Sequence, residues 1–266
     1  MYYIFSVIKF YFGVEDMKKL EFFDCEASFG IRGFKRENMP ITKEEMLSKF
    51  DRYGIDYALM RYEFANNGIT RVGNSELCDV IKDDKRLFPM WYVLPHHTGE
   101  FPNPEELITL MKQNDVKVVA IQGGSWVVGE WSCGELFSTL AKHKVPILIS
   151  FSRVPNGYTG LYDLLKNHPD LRVILTDVGY TCMRDIYPLL QLFQNLYIST
   201  SSYKAFEGIE DTVEHFGAER LLFGSGMPNL SGAASVALIT YARISYEDKQ
   251  KIASGNLKKL LNEVEF

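Results

Sequence analysis

A chain of 266 residues, 46% hydrophobic and 24% charged, has the length of one α/β barrel and the polarity balance of a soluble globular protein. It buries enough surface on folding to need neither disulfides nor a structural metal. The net charge of −5 supplies no basic stripe, which excludes nucleic acid as the main partner. Cys25, Cys78, Cys133 and Cys182 are widely spaced with no Cys-x-x-Cys pair, so neither a zinc knuckle nor a thioredoxin-like site is indicated. They read as reduced thiols of a cytoplasmic protein.

The chain opens on an apolar, aromatic stretch at 1–13 that Lys9 interrupts. It is too short to span a bilayer, and no basic segment or small-residue cleavage site marks a signal peptide. Met17-Lys18-Lys19 reads as a natural start. Residues 1–16 are therefore expected to be a disordered N-terminal extension, with a membrane-surface segment as the other reading.

From there apolar runs alternate with amphipathic segments. The runs predict strands at 21–25, 56–60, 87–94, 117–121, 145–151, 171–176, 196–200 and 220–224, each nearly continuous in apolar residues, as parallel strands covered on both faces require. Thr42 stands before the first helix with Glu45 at the capping-box position. Asn103-Pro104-Glu105-Glu106 is a cap followed by proline at the first helical position and acids on the helix dipole. Further helices are predicted at 75–81, 134–143, 158–167, 183–193, 206–216, 235–244 and 246–261, the last capped by Ser245. Eight strand–helix units with no repeat or linker predict a (β/α)8 TIM barrel, a single domain over 17–266, with functional groups at the C-terminal strand ends.

Three stretches carry a resemblance: Asn167-His168-Pro169-Asp170-Leu171-Arg172-Val173-Ile174-Leu175, Asn195-Leu196-Tyr197-Ile198-Ser199-Thr200-Ser201, and Phe216-Gly217-Ala218-Glu219-Arg220-Leu221-Leu222-Phe223-Gly224-Ser225-Gly226-Met227-Pro228. With the closing helix around Asn256-Leu257-Lys258-Lys259-Leu260, they resemble the amidohydrolase-related family over about residues 20–262. The resemblance implies a hydrolase or lyase. Its members generally bind one or two divalent metals through two histidines after strand 1, one after strand 5, one after strand 6 and an aspartate after strand 8, to activate water or polarise an oxygen. Here Asp24 and Gly30 fit the first motif, but Glu26 and Ser28 occupy its histidine positions. Ser150, Asp177 and Gly226 occupy the other three. Hydroxyls and glycine are poor replacements for imidazole and carboxylate, so no metal and no cofactor are expected.

The residues left at the mouth suggest other chemistry. Glu26 and Asp177 are two carboxylates able to divide acid and base roles if their environments separate their pKa values. Asp177 is expected deep in the mouth as the general base; the other reading is that both acids merely bind loop amides or arginines. Arg61 and Arg153 follow strand ends and suit carboxylate or phosphate, or else neutralise Glu26, Glu63 or Asp177. Ser28, Ser150, Ser201 and Ser225 line the mouth with hydroxyls, and no serine sits in a nucleophile elbow. His96 and His97 follow strand 3, with His96 a candidate substrate contact; a Glu26/Asp177/His96/His97 metal site is the alternative to a solvated rim pair. Two functions remain open: a metal-independent hydrolase or lyase on a small anionic or lactone-like substrate, and a non-catalytic pseudoenzyme that binds a small molecule or an assembly partner. No membrane partner is expected, and a homodimer is permitted by the aromatic-rich loops.

Overall fold

Short apolar runs bury both faces only when helices cover one and packed side chains fill the other, and the protein is built this way. Its computed structural model describes residues 19–32, 37, 39–124 and 126–266; the extension read at 1–16 lies outside the described residues. The strands are β1 (Phe23–Phe29), β2 (Tyr57–Tyr62), β3 (Leu87–Pro89), β4 (Trp91–Val93), β5 (Val119–Ile121), β6 (Ile147–Ser150), β7 (Val173–Thr176), β8 (Leu196–Ser199) and β9 (Leu221–Leu222). Every pairing is parallel, in the orders β1-β2-β3 and β4-β5-β6-β7-β8-β9.

The strand expected at 87–94 is divided at Met90. Its amide donates back to Met60 O (2.9 Å), whereas Trp91 N–H donates forward to Val118 O (3.4 Å). β3 and β4 thus act as one stave that joins the two groups of strands. At the other seam Cys25 N–H reaches Phe223 O (2.9 Å) and Ser28 N–H reaches Met227 O (3.0 Å), bringing β1 against the segment after β9. The eight staves form the (β/α)8 barrel. Phe23, Cys25, Leu59, Met90, Tyr92, Ala120, Leu148, Ile174 and Leu222 form one apolar cluster drawn from successive staves, as a filled barrel interior requires. A larger cluster lies between strands and helices.

The caps form as the sequence implies. Thr42 accepts from Glu45 N–H in a full capping box on α1 (Lys43–Tyr53), which ends at Gly54 with φ 75°, a left-handed turn that glycine adopts without strain. Asn103 accepts from Glu106 N–H at 3.0 Å and Ser245 from Asp248 N–H at 3.0 Å. The helix expected at 246–261 is interrupted: Tyr246–Gln250 leads into a π-helical turn, Lys251–Gly255, and then Asn256–Asn262. Within that turn Ile252 O accepts Phe223 N–H (2.9 Å), and Asn256 donates to Ala218 O and Leu221 O (2.8 and 2.9 Å). Together these bonds fix the last stave below the mouth. Among the described residues no helix is long and apolar enough to cross a membrane.

Candidate active site at the barrel mouth

Two acids on β1 are buried in the interior end of the mouth. The β1–β2 register slips between Asp24 and Ala27, and this irregularity lets Asp24 turn to the seam with the last stave. Asp24 Oδ1 accepts the amides of Glu26 and Ser225 (both 2.9 Å), and Oδ2 accepts the Ser225 hydroxyl. Burial raises its pKa despite these bonds.

Glu26, 7% exposed, accepts the hydroxyls of Ser199 (2.5 Å) and Ser201 (2.7 Å) on Oε2. Burial pushes its pKa up to about 7; Arg61 and the two serines pull it down, and the charge of Asp177 pushes it further up. Gly224 makes the space. A Cβ there would overlap the Ser199 hydroxyl and lie 3.2 Å from Glu26 Oε2.

Beside this acid stand the cations of the first two staves. Ser28 and Arg61 face each other in the β1–β2 register. The Arg61 guanidinium carbon lies 5.8 Å from the Tyr92 ring centroid, within cation–π range. Arg61 Nε is buried and has no hydrogen-bond partner among the described residues. Burial lowers the Arg61 pKa, but Tyr92, Glu26 and Glu63 outweigh that and leave it raised. Tyr92 itself is pushed up to about 12, first by burial. Arg32 donates to Ser28 Oγ (2.5 Å) and pairs with Glu63 Oε1 (2.8 Å), the two side chains being 11% and 5% exposed.

The remaining expected residues sit elsewhere. Asp177 is at the exposed rim, not deep in the mouth. The chain turns there with φ 62° directly after β7, which carries the carboxylate outward to accept Ser150 Oγ (2.5 Å) and Thr176 Oγ1 (3.4 Å). The buried acids at the mouth are therefore Asp24 and Glu26, and the desolvation expected at Asp177 acts on them. Ser150 also contacts Ser152 Oγ at 2.6 Å. Arg153 gives its two terminal nitrogens to Gly124 O and Trp126 O (2.8 and 2.9 Å) and lies 4.9 Å from the Trp126 ring, so it braces the loop after β5. His96 stacks on His97 at 4.3 Å and approaches Glu135 at 3.6 Å, away from Glu26.

The structure thus gathers Glu26, Ser28, Arg61, Ser201 and Ser225 with Asp24. Asp177, whose charge acts on Glu26, stays at the rim with Ser150, while Arg153 and His96 are engaged with other partners. It adds Arg32, Ser199 and Gly224. The sequence held one signal for Ser199: its spacing from Ser201 puts both hydroxyls on one face of an extended chain.

The metal set implied by the resemblance does not fit these residues. No three His, Cys, Asp or Glu side chains among the described residues converge as ligands. The Ser225 hydroxyl holds Asp24 Oδ2 and two serine hydroxyls hold Glu26 Oε2, and Gly226 offers no donor side chain.

No curated protein matches the chain. Solved structures with a similar fold include an uncharacterised TIM-barrel protein from Bordetella bronchiseptica, at 16% identity over 92% of this chain and 99% of that one, TM-score 0.71. A 2,6-dihydroxybenzoate decarboxylase from Rhizobium aligns at 14% identity over 92% and 99%, TM-score 0.73. A 5-carboxyvanillate decarboxylase from Novosphingobium aromaticivorans, complexed with manganese and 4-hydroxy-3-methoxy-5-nitrobenzoic acid, aligns at 15% over 91% and 96%, TM-score 0.71. At these identities the likeness shows a shared fold. The sequence model of the amidohydrolase family Amidohydro_2 matches residues 76–262, and the chain belongs to that family.

Proposed function

We propose that this amidohydrolase-family barrel is a metal-independent lyase or hydrolase that moves a proton on a small anionic substrate. Glu26 is the proton-transfer group and Arg61 the anchor for the substrate's negative charge. The observation that carries the reading is a carboxyl with a pKa of about 7, buried in the mouth beside a guanidinium whose Nε is unengaged. An acid poised near the working pH both gives and recovers a proton efficiently.

In decarboxylation Glu26 gives its proton to the carbon as the bond to CO2 breaks. In lactone opening the Glu26 carboxylate takes a proton from the water that attacks the carbonyl carbon and delivers it to the ring oxygen as the C–O bond breaks. After decarboxylation solvent water returns the proton to Glu26, and after lactone opening Glu26 is again the carboxylate it began as. Ser199 and Ser201 hold the carboxyl in place throughout. Asp177 acts from the rim, where its charge favours the protonated form of Glu26. That some fold neighbours are decarboxylases supports testing carboxylated aromatic acids first.

A non-catalytic binder is the second reading, favoured by the closed Glu26–Ser199–Ser201 hydrogen bonding. The test is a mass-spectrometric turnover screen of aromatic carboxylates and lactones with EDTA-treated protein. Turnover that disappears in Glu26→Gln supports the catalyst. Arg61-dependent binding without turnover of any compound supports the binder, and turnover that only added manganese restores overturns the metal-independent reading.

A further inference from the structure

The buried side-chain nitrogens and oxygens that find no hydrogen-bond partner among the described residues are the Nε atoms of three arginines, Arg32, Arg61 and Arg153. A buried donor left unsatisfied is destabilising, so such groups call for a ligand or water. Arg153 is otherwise committed to two loop carbonyls. The other two stand together. Ser28, the register partner of Arg61, is the residue to which Arg32 donates. The charges of Arg61 and Arg32 act on each other, and both are felt by Glu63 and Tyr92.

We infer that Arg32 and Arg61 form a two-guanidinium clamp for one planar carboxylate, with Arg32 a substrate-binding residue alongside Arg61. The inference rests on the anion-anchoring part of the proposed function and narrows the substrate to a carboxylic acid.

Arg32 is paired through one terminal nitrogen, with its Nε left open. Glu63 Oε1 is taken by Arg32 Nη2 at 2.8 Å, whereas Arg61, whose strongest carboxylate influence is Glu26, has no ion pair within 4 Å among the described residues. The Tyr92 ring lies against the Arg61 guanidinium, orienting it and leaving its edge for a fork-to-fork carboxylate pair, the geometry in which arginine binds most strongly. The Ser28 and Glu63 bonds fix the remaining guanidinium in the same way. Lysine in either place would keep the charge but lose the planar fork.

The test is calorimetric titration with benzoate, acetate and inorganic phosphate at pH 7.5, on wild type, Arg61→Met, Arg32→Lys, Glu26→Gln and a surface charge control, Lys82→Met. The clamp predicts that benzoate and acetate bind and that phosphate binds more weakly. Arg61→Met and Arg32→Lys should each weaken benzoate by about tenfold or more, while Lys82→Met and Glu26→Gln keep binding. Circular dichroism confirms that each variant is folded, and Arg32→Lys retains a cation beside Glu63 should a neutral substitution fail to fold. Unchanged benzoate affinity in both arginine variants, or no carboxylate binding by folded wild type, overturns the clamp. Because the clamp does not depend on Glu26, arginine-dependent binding by wild type without turnover refutes the catalytic reading alone. Glu26-dependent turnover with no effect of Arg32→Lys on binding refutes the clamp alone.

Discussion

The pKa of Glu26 makes a stability prediction with a definite sign. In the unfolded chain its carboxyl titrates near 4.5, and in the fold near 7. Between those values the folded state holds a proton that the unfolded state has lost, so unfolding free energy falls as pH rises through this window. The protonated form is favoured in the fold, and the penalty is complete above the folded pKa. At about 1.4 kcal/mol per pH unit, a rise from 4.5 to about 7 amounts to about 3 kcal/mol. Glu26→Gln imitates the protonated carboxyl: Gln can still accept from Ser199 and Ser201, and its stability no longer responds to the ionisation. Asp24 is raised by the same physics, so the wild-type profile alone is ambiguous. The difference between the variant and wild-type profiles isolates Glu26. Urea unfolding at a series of pH values should show Glu26→Gln gaining on wild type by about 3 kcal/mol between about pH 4.5 and pH 8, which is roughly 6 to 10 °C in melting temperature. A difference that is flat across this range would mean that Glu26 titrates like a solvated acid, and the burial argument would fail.

Four further outcomes follow from the same contacts. Ser201→Ala removes a hydroxyl that favours the charged form of Glu26, so the midpoint of the difference profile should move to higher pH. Gly224→Ala drives a methyl into Ser199 and Glu26 and should cost about 1–3 kcal/mol in chemical denaturation, while the conservative Ser199→Thr is better tolerated. Glu63→Gln breaks a buried ion pair with Arg32 and should lose about 3–5 kcal/mol at neutral pH, read from the same denaturation curves. Chelator treatment followed by elemental analysis should leave the melting temperature unchanged and return no stoichiometric zinc or manganese on exposure to either metal.

The barrel was legible because its staves are apolar runs of nearly constant spacing, and the caps at Thr42, Asn103 and Ser245 are local chemistry that needs no tertiary context. The end of β1 was not. The sequence reading stopped it at 25 and took Glu26 and Ser28 for the turn beyond its end, yet the strand runs to Phe29 with those side chains buried at the mouth. The depth of Asp177 was misjudged for the opposite reason: a left-handed turn immediately after β7 is invisible in residue type and swings the acid outward. Arg153 looked like a ligand anchor since its partners, the carbonyls of Gly124 and Trp126, are remote in sequence. Arg32 drew no attention, although the loop after β1 places it on Ser28 and Glu63. Motif positions showed where the mouth is; the burial of each acid depended on backbone geometry that propensity does not encode.

The central claim is that Glu26 exchanges a proton near neutrality without a metal. Difference infrared titration of the carboxyl band, wild type minus Glu26→Gln in chelator-treated protein, measures this directly. A single buried carboxyl losing its proton with a midpoint near 7 is the predicted result. A midpoint near the 4.5 of an ordinary glutamate would contradict the account.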